Sequence, residues 1–395
     1  MKVALITHEG GGIASVCYGL ARSLAKKGVN VTVFTSTTAL TARIERWTDS
    51  LEVVRLPMLD FPPRTISYQV LNLSRLLKML KNYDVVHGLS PEASFMFALL
   101  KKKLERPFVG TIHGSPRASQ RAFVNQPISS WTFSEFGYHI LEFPLHEFSV
   151  DTILGAADHT TMCSFSLLEE LKAYGALNMG RVSVIQNGID FDEIEKIPDS
   201  PSGKSAELSI IYAGRLFWFK GVMLLLEAFE HVQRSFPNSC LKIFGKGPLE
   251  KTINRFIAES HLTASVSCFG YIPHERLLAE LKESDVVVFP SLSEAQPMFV
   301  LEAMGCKKPV IMFNFPFAQE IISSMNNGLM AKPGDVHDLS EKMQILLSDS
   351  DLRKRLGQNA HTLAKKEHDW DAQSEKYLKV YEKVIDQSAY PAMVK

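Results

Sequence analysis

Two glutamates, Glu294 and Glu302, are separated by seven residues in the stretch Pro290 to Gly305. The apolar run Asp285 to Phe289 before them reads as a strand, and Ser291 to Gln296 as a short polar loop. A helix follows with Pro297 in its first turn, and Gly305 is expected to end it in the left-handed conformation. In an open parallel sheet, ligands gather at the carboxyl ends of strands, where a helix N-terminus offers free N–H groups to an anion. Carboxylates flanking such a site suit a ligand that carries hydroxyls beside its phosphates. A second phosphate-compatible feature is Gly10-Gly11-Gly12, between the strand Val3 to Ile6 and a helix expected over Ala14 to Lys27. Its spacing is not G-x-G-x-x-G, which disfavours a dinucleotide. His113 ends a further strand, Phe108 to His113, and is a candidate for the same sheet edge.

Length and charge narrow the classes. A chain of 395 residues is expected to form two domains. Lys plus Arg and Asp plus Glu both number 43, so no global field favours nucleic acid. Five cysteines without a C-x-x-C pair predict buried thiols in a reducing compartment, with no disulfide framework or zinc site. The N-terminal strand runs into His8 and Glu9, unlike a signal peptide, and no apolar run reaches membrane-span length. The expectation is a cytoplasmic protein. Arg75, Lys78, Lys81 and Lys101 to Lys103 would form a solvated helix face, or the contact of a peripheral protein with the inner face of a membrane if its acceptor is a lipid.

The elements that must carry these residues alternate along the chain. Strands are expected at Val29–Thr35, Leu51–Leu56, Asp84–His87 and Phe108–His113, with helices at Tyr68–Lys81 and Glu92–Lys103. An aromatic-rich segment from Pro116 to Phe148, with Trp131, Phe133, Phe136 and Tyr138, interrupts the order as a binding loop or a hydrophobic cluster. Helix Leu145–Ala156, strand His159–Met162, a helix capped at Ser164 or Ser166, and strand Val182–Ile185 follow. Pro198 to Ser205 reads as a linker. A second alternating series begins with strand Leu208–Ala213 and ends with a helix, roughly Asp371 to Ile385, whose Tyr377, Leu378, Val380, Tyr381 and Val384 share one face.

The second half carries, in order, G-R-L-x-x-x-K-G (Gly214 to Gly221), G-K-G-P (Gly245 to Pro248), F-G-Y-I-P (Phe269 to Pro273), the paired glutamates and N-G-L (Asn327 to Leu329). With N-G-I-D at Asn187 to Asp190, this ordered set resembles the retaining GT-B glycosyltransferases of family four. The resemblance implies an α/β architecture of two Rossmann-like domains facing across a cleft. The first would span 1–199 and bind the acceptor, joined by a C-terminal helix, about 371–395, that crosses back to it; the second, 206–370, would bind the donor.

The implied activity is transfer of a sugar from a nucleoside-diphosphate sugar to a hydroxyl acceptor, with retention and without metal or other cofactor. Glu302 would hold the ribose hydroxyls, and Glu294 would lie by the donor sugar. His113 would face that sugar, although this chain has Gly114 where the family carries an acid. Gly11 and Gly12 would approach the phosphates. Arg215, a planar fork of donors, and Lys220, a point charge, can converge on the leaving diphosphate from a strand end. Where the family reads S-E-G-[FL]-P, this chain reads Ser293-Glu294-Ala295-Gln296-Pro297, which places a polar Gln296 against the sugar and removes a glycine able to adopt positive φ. A nucleotide-sugar 2-epimerase of similar architecture and a non-catalytic nucleotide-sugar binder are the alternatives.

Overall fold

The computed structural model describes residues 1–39, 41–59, 64–124, 143–173, 175, 177–198 and 208–393. The described residues divide into two compact units, one of 1–117, 143–188 and 370–393, the other of 118–124 and 189–369. Residues 189–197, ahead of the expected linker, and Pro198, its first residue, thus group with the second unit. The rest of the linker, 199–205, and Trp131, Phe133, Phe136 and Tyr138 lie outside the described residues.

The first unit is built on strands β1 (Lys2–Ile6), β2 (Asn30–Thr37), β3 (Arg43–Thr48), β4 (Leu51–Pro57), β5 (Val85–Gly88), β6 (Phe108–Ile112), β7 (His159–Met162) and β8 (Val182–Val184). Their order is β3-β4-β2-β1-β5-β6-β7-β8, parallel except for β3, which pairs antiparallel with β4 at the edge. The strand β3 escaped the sequence reading because its R-I-E-R-W-T lacks a buried face: five of its six residues are exposed. Central strands such as Val3 to Ile6 are buried on both faces and read as continuous apolar runs, as helix-covered parallel strands must.

The C-terminal helix runs from Trp370 to Met393 and belongs to this unit. Its Tyr377, Val380, Tyr381 and Val384 are buried as the apolar stripe predicts, while Leu378 is half-buried. Trp370 anchors its start between two glycines: a Cβ on Gly19 or Gly188 would stand 2.0 or 2.6 Å from the indole. Tyr381 then closes a buried chain, with its hydroxyl 2.7 Å from His87 Nδ1 and Thr111 Oγ1 2.6 Å from His87 Nε2.

The second unit holds β9 (Leu208–Ala213), β10 (Ser239–Phe244), β11 (Val266–Gly270), β12 (Val286–Phe289), β13 (Val310–Phe313) and β14 (Gly328–Ala331). All are parallel, in the order β11-β10-β9-β12-β13-β14. Helices pack on its faces around Ile210, Val287, Val300 and Ile311, each fully buried and each contributing about 1.5–3 kcal/mol.

Several boundaries differ from the sequence reading for local reasons. The first helix starts at Gly11, not Ala14, and Gly10 and Gly11, both at positive φ, make the turn that leads into it. The expected helix Glu92–Lys103 breaks at Leu100 into Pro91–Leu99 and Lys101–Leu104. Ser164, not Ser166, caps the helix Phe165–Lys172, accepting from the Leu167 N–H. Pro297 is the N-cap of the helix Met298–Gly305, and Cys306 its C-cap. Gly305 is inside that helix and not left-handed; it is small because a Cβ there would meet Ile189 and Ile194 at 2.7 Å. The cysteines differ too: Cys17, Cys163 and Cys306 are buried, Cys240 is half-buried and Cys268 is exposed. Among the described residues no helix is long and apolar enough to cross a membrane.

Candidate functional site

In the second unit, neighbouring strands bring the distant motifs into one place. Strands β9 and β12 are adjacent, with Ile210 opposite Val286, so the loops beyond their carboxyl ends lie side by side. The Leu292 N–H and the Ser291 hydroxyl both donate to the Phe219 carbonyl, at 2.7 and 3.2 Å. Gly221 takes φ +71°, and a Cβ on it would stand 1.9 Å from the Pro290 carbonyl oxygen. Only glycine allows this approach, which draws Lys220 towards the paired-glutamate loop. On the other side of β9, the Leu216 N–H donates to the Lys246 carbonyl and the Leu249 N–H to the Leu216 carbonyl, at 3.0 and 3.1 Å. Gly245 fits against Gly214 with equally little room, since its Cβ would stand 1.9 Å from the Gly214 carbonyl oxygen.

The two basic residues of G-R-L-x-x-x-K-G end in different environments. Arg215 is exposed, with its guanidinium carbon 5.2 Å from the Phe217 ring centre and 6.0 Å from that of Phe219, so its plane is restrained without being desolvated. Lys220 is buried and donates to Glu294 Oε1; their side chains are only 11% and 14% exposed. Burial pushes the Lys220 ammonium below its ordinary pKa, the Glu294 carboxylate pulls it back, and Arg215 adds to the depression. Lys220 and Glu294, assigned separately from the sequence to phosphate and sugar, are thus one ion pair here.

Glu302 projects from the helix Met298–Gly305 and is also buried, its Oε1 2.9 Å from His274 Nε2. Gln296 is buried in the loop before it. Ala295 is buried, and it and every other residue of this loop take negative φ. The loop therefore needs no glycine at that position, and the departure from S-E-G leaves its backbone unstrained.

In the first unit, Gly11, Gly12 and His113 follow β1 and β6, on either side of β5. Gly11 takes φ +76° in open space at the start of its helix. His113 is accompanied by polar groups the sequence reading did not select. The Ser90 hydroxyl donates to Glu92 Oε2 at 2.9 Å, so its partner His8 Nδ1, 3.1 Å away, is the donor to Ser90. Glu92 Oε1 pairs with His146 Nε2 at 2.9 Å. Burial by itself would raise the Glu92 carboxyl, but His146 holds it well below the usual carboxylate range. Burial pulls His113 down to about 4 against the attraction of Glu92, so its ring is neutral at pH 7. His113 Nε2 is buried without a hydrogen-bond partner among the described residues. Glu92, four residues past the end of β5, thus supplies the negative charge that Gly114 lacks.

His274 and Glu92 each stand in the first turn of a helix that follows a strand end. That position, Ile-Pro-His and Ser-Pro-Glu in the sequence, was the available signal for both.

Comparison with known proteins fits this arrangement. Residues 10–193 match the family described as Glycosyltransferase Family 4, and residues 193–363 match Glycosyl transferases group 1. An uncharacterised glycosyltransferase of Methanocaldococcus jannaschii is 28% identical over 289 residues, covering 73% of this chain and 72% of its own. Sucrose-phosphate synthase from Thermosynechococcus elongatus has a TM-score of 0.78 at 20% identity, over 98% of this chain and 99% of that one. Anabaena HepE, solved in complex with UDP and glucose, has a TM-score of 0.74 at 17% identity, over 97% and 99%. At these identities the two solved structures speak for the fold alone, two parallel-sheet α/β units of the GT-B type. The chain belongs to the family-four, group 1 glycosyltransferases.

Proposed function

We propose that the protein transfers a sugar from a nucleoside-diphosphate sugar to a hydroxyl acceptor, with retention of anomeric configuration and without a divalent metal. The observation that carries this reading is the convergence of Arg215, the Lys220–Glu294 pair and Glu302 at the carboxyl edge of one parallel sheet. Two cations and two carboxylates at that edge match a ligand with a diphosphate at its centre and hydroxyls at both ends. HepE, bound to UDP and glucose, supports the donor class by analogy of fold.

The chemistry assigns each group a task. Arg215 and Lys220 neutralise the charge that grows on the leaving diphosphate, in place of a metal ion. When the phosphate arrives, it competes with Glu294 for the Lys220 ammonium, which frees Glu294 for the donor sugar hydroxyls. Glu302 takes the ribose. A donor phosphate oxygen accepts the proton of the acceptor hydroxyl on the face that the leaving group vacates, so no enzyme nucleophile is needed. In the first unit, neutral His113 offers a hydrogen bond and not a positive charge. Helix Arg64–Leu80 exposes Val70, Leu71, Arg75 and Lys78, a face suited to an anionic bilayer if the acceptor is a lipid.

The test is a panel of UDP-, GDP- and ADP-sugars, scored first for binding and then for hydrolysis and transfer. Binding without turnover on any hydroxyl acceptor would leave a nucleotide-sugar binder; no binding would defeat the proposal.

A further inference from the structure

Glu302 has a partner that no part of the family pattern quoted above contains. Its side chain is 9% exposed, and its Oε1 lies 2.9 Å from His274 Nε2. A carboxylate only accepts, so that ring nitrogen carries the proton. Glu302 Oε2 accepts no hydrogen bond from the described residues. His274 opens the helix His274–Glu283 directly after Pro273 and the carboxyl end of β11, so its ring is at the sheet edge that gathers the other site residues. The far side of the ring faces Glu193, with 3.8 Å between Nδ1 and Oε2. Glu193 is held in turn on the short helix Phe191–Lys196, where its N–H donates to the capping Asp190 side chain at 3.1 Å. An imidazole thus stands between two carboxylates from separate helices of the same unit.

We propose that His274 is a positioning residue that clamps one oxygen of Glu302 and presents the other to the ribose diol of the donor. A glutamate side chain turns about three bonds and, left alone, would spread over several rotamers. A hydrogen bond on Oε1 removes that freedom, and it leaves Oε2 with both lone pairs for the 2′- and 3′-hydroxyls. The effect is preorganisation: the carboxylate is aimed before the nucleotide arrives. This inference rests on the nucleotide-sugar reading of the site.

The experiment is calorimetric titration of the full chain with UDP and 2′,3′-dideoxy-UDP, with the GDP and ADP pairs in parallel. His274→Ala should weaken the ribose form that the wild type binds by about tenfold, the scale of one hydrogen bond to a charged group. The dideoxy form, which lacks the hydroxyls, should change by less than about twofold. His274→Gln, whose amide can donate from near the place of Nε2, should restore most of the loss. Equal weakening of both forms would mean that His274 only supports the fold, and unchanged binding of the ribose form would remove the clamp altogether. Wild-type protein that bound none of the three diphosphates would overturn the nucleotide reading itself, and this inference with it.

Discussion

Lys220 donates to Glu294 although the two residues lie 74 positions apart, and both side chains are almost wholly withdrawn from solvent. The adjacency of β9 and β12 imposes the pairing, and Gly221 against Pro290 permits it. Removing one partner leaves a buried charge without its counterion, which costs about 3 kcal/mol or more. Lys220→Met and Glu294→Gln should each destabilise the protein on that scale, and the double variant should cost less than the sum. Urea denaturation of the four proteins measures the coupling; additive losses would show that the pair contributes nothing as a pair.

The two glutamates should separate by ligand. Glu302→Ala should weaken binding of free nucleoside diphosphate, whereas Glu294→Ala should spare it and impair binding of the whole donor. Titration of both variants with nucleotide and with nucleotide sugar decides the matter. Equal losses for both ligands in both variants would refute the division.

Turnover should survive EDTA. Arg215 and Lys220 then carry the leaving charge, and losing one preorganised donor to a developing anion costs roughly 3–4 kcal/mol, about a hundred- to a thousandfold in rate. Lys220→Ala should lose that much, mainly in kcat. Arg215→Lys should recover little, because a point charge cannot span two phosphate oxygens as a fork does. Activity that EDTA abolishes and Mg2+ restores, with Lys220→Ala near normal, would reverse the assignment.

Gly221→Ala should be damaging through backbone geometry alone. The added methyl would stand 1.9 Å from the Pro290 carbonyl oxygen at a φ of +71°. Loop displacement and backbone strain together should cost at least about 1–3 kcal/mol and move Lys220 away from Glu294. Thermal unfolding and nucleotide titration should both worsen. A variant as stable as wild type with unchanged affinity would show that the two loops tolerate separation.

Acid should destabilise the first unit before the carboxylates titrate in bulk. Burial lowers His87 to about 3, and His113 and His159 to about 4. The unfolded chain takes up these protons near pH 6.5, so stability is full above that value and falls as pH drops towards the folded values. Each histidine adds a slope of about 1.4 kcal/mol per pH unit in that window. Calorimetric Tm between pH 7.5 and 4.5 measures it. His87→Gln keeps hydrogen-bonding groups without a titrating ring and should flatten the slope by one proton; an unchanged slope would count against a neutral buried His87.

Much of this protein is legible along the chain. Parallel strands buried on both faces appear as short apolar runs, and strands β9 and β13 fall where those runs lie. Tyr377, Val380, Tyr381 and Val384 mark one helical face by their spacing, and that face is the buried one. Ordered short motifs identified the family because most are turns of a few consecutive residues at the carboxyl ends of strands, legible without any long-range contact. Side-chain pairing across strands carries no such local trace. Sheet order places Lys220 on Glu294, His274 on Glu302 and Glu92 beside His113, and their partners lie 74, 28 and 21 residues away in the sequence. Gly305 illustrates the same limit at one residue. Local rules read it as a left-handed stop, whereas Ile189 and Ile194, more than a hundred residues earlier, require it to be small. The chain's local pattern determined which elements form and what ligand class they suit. Only the tertiary structure decided which charges meet, because burial and strand adjacency set those distances and neither is a property of a single segment.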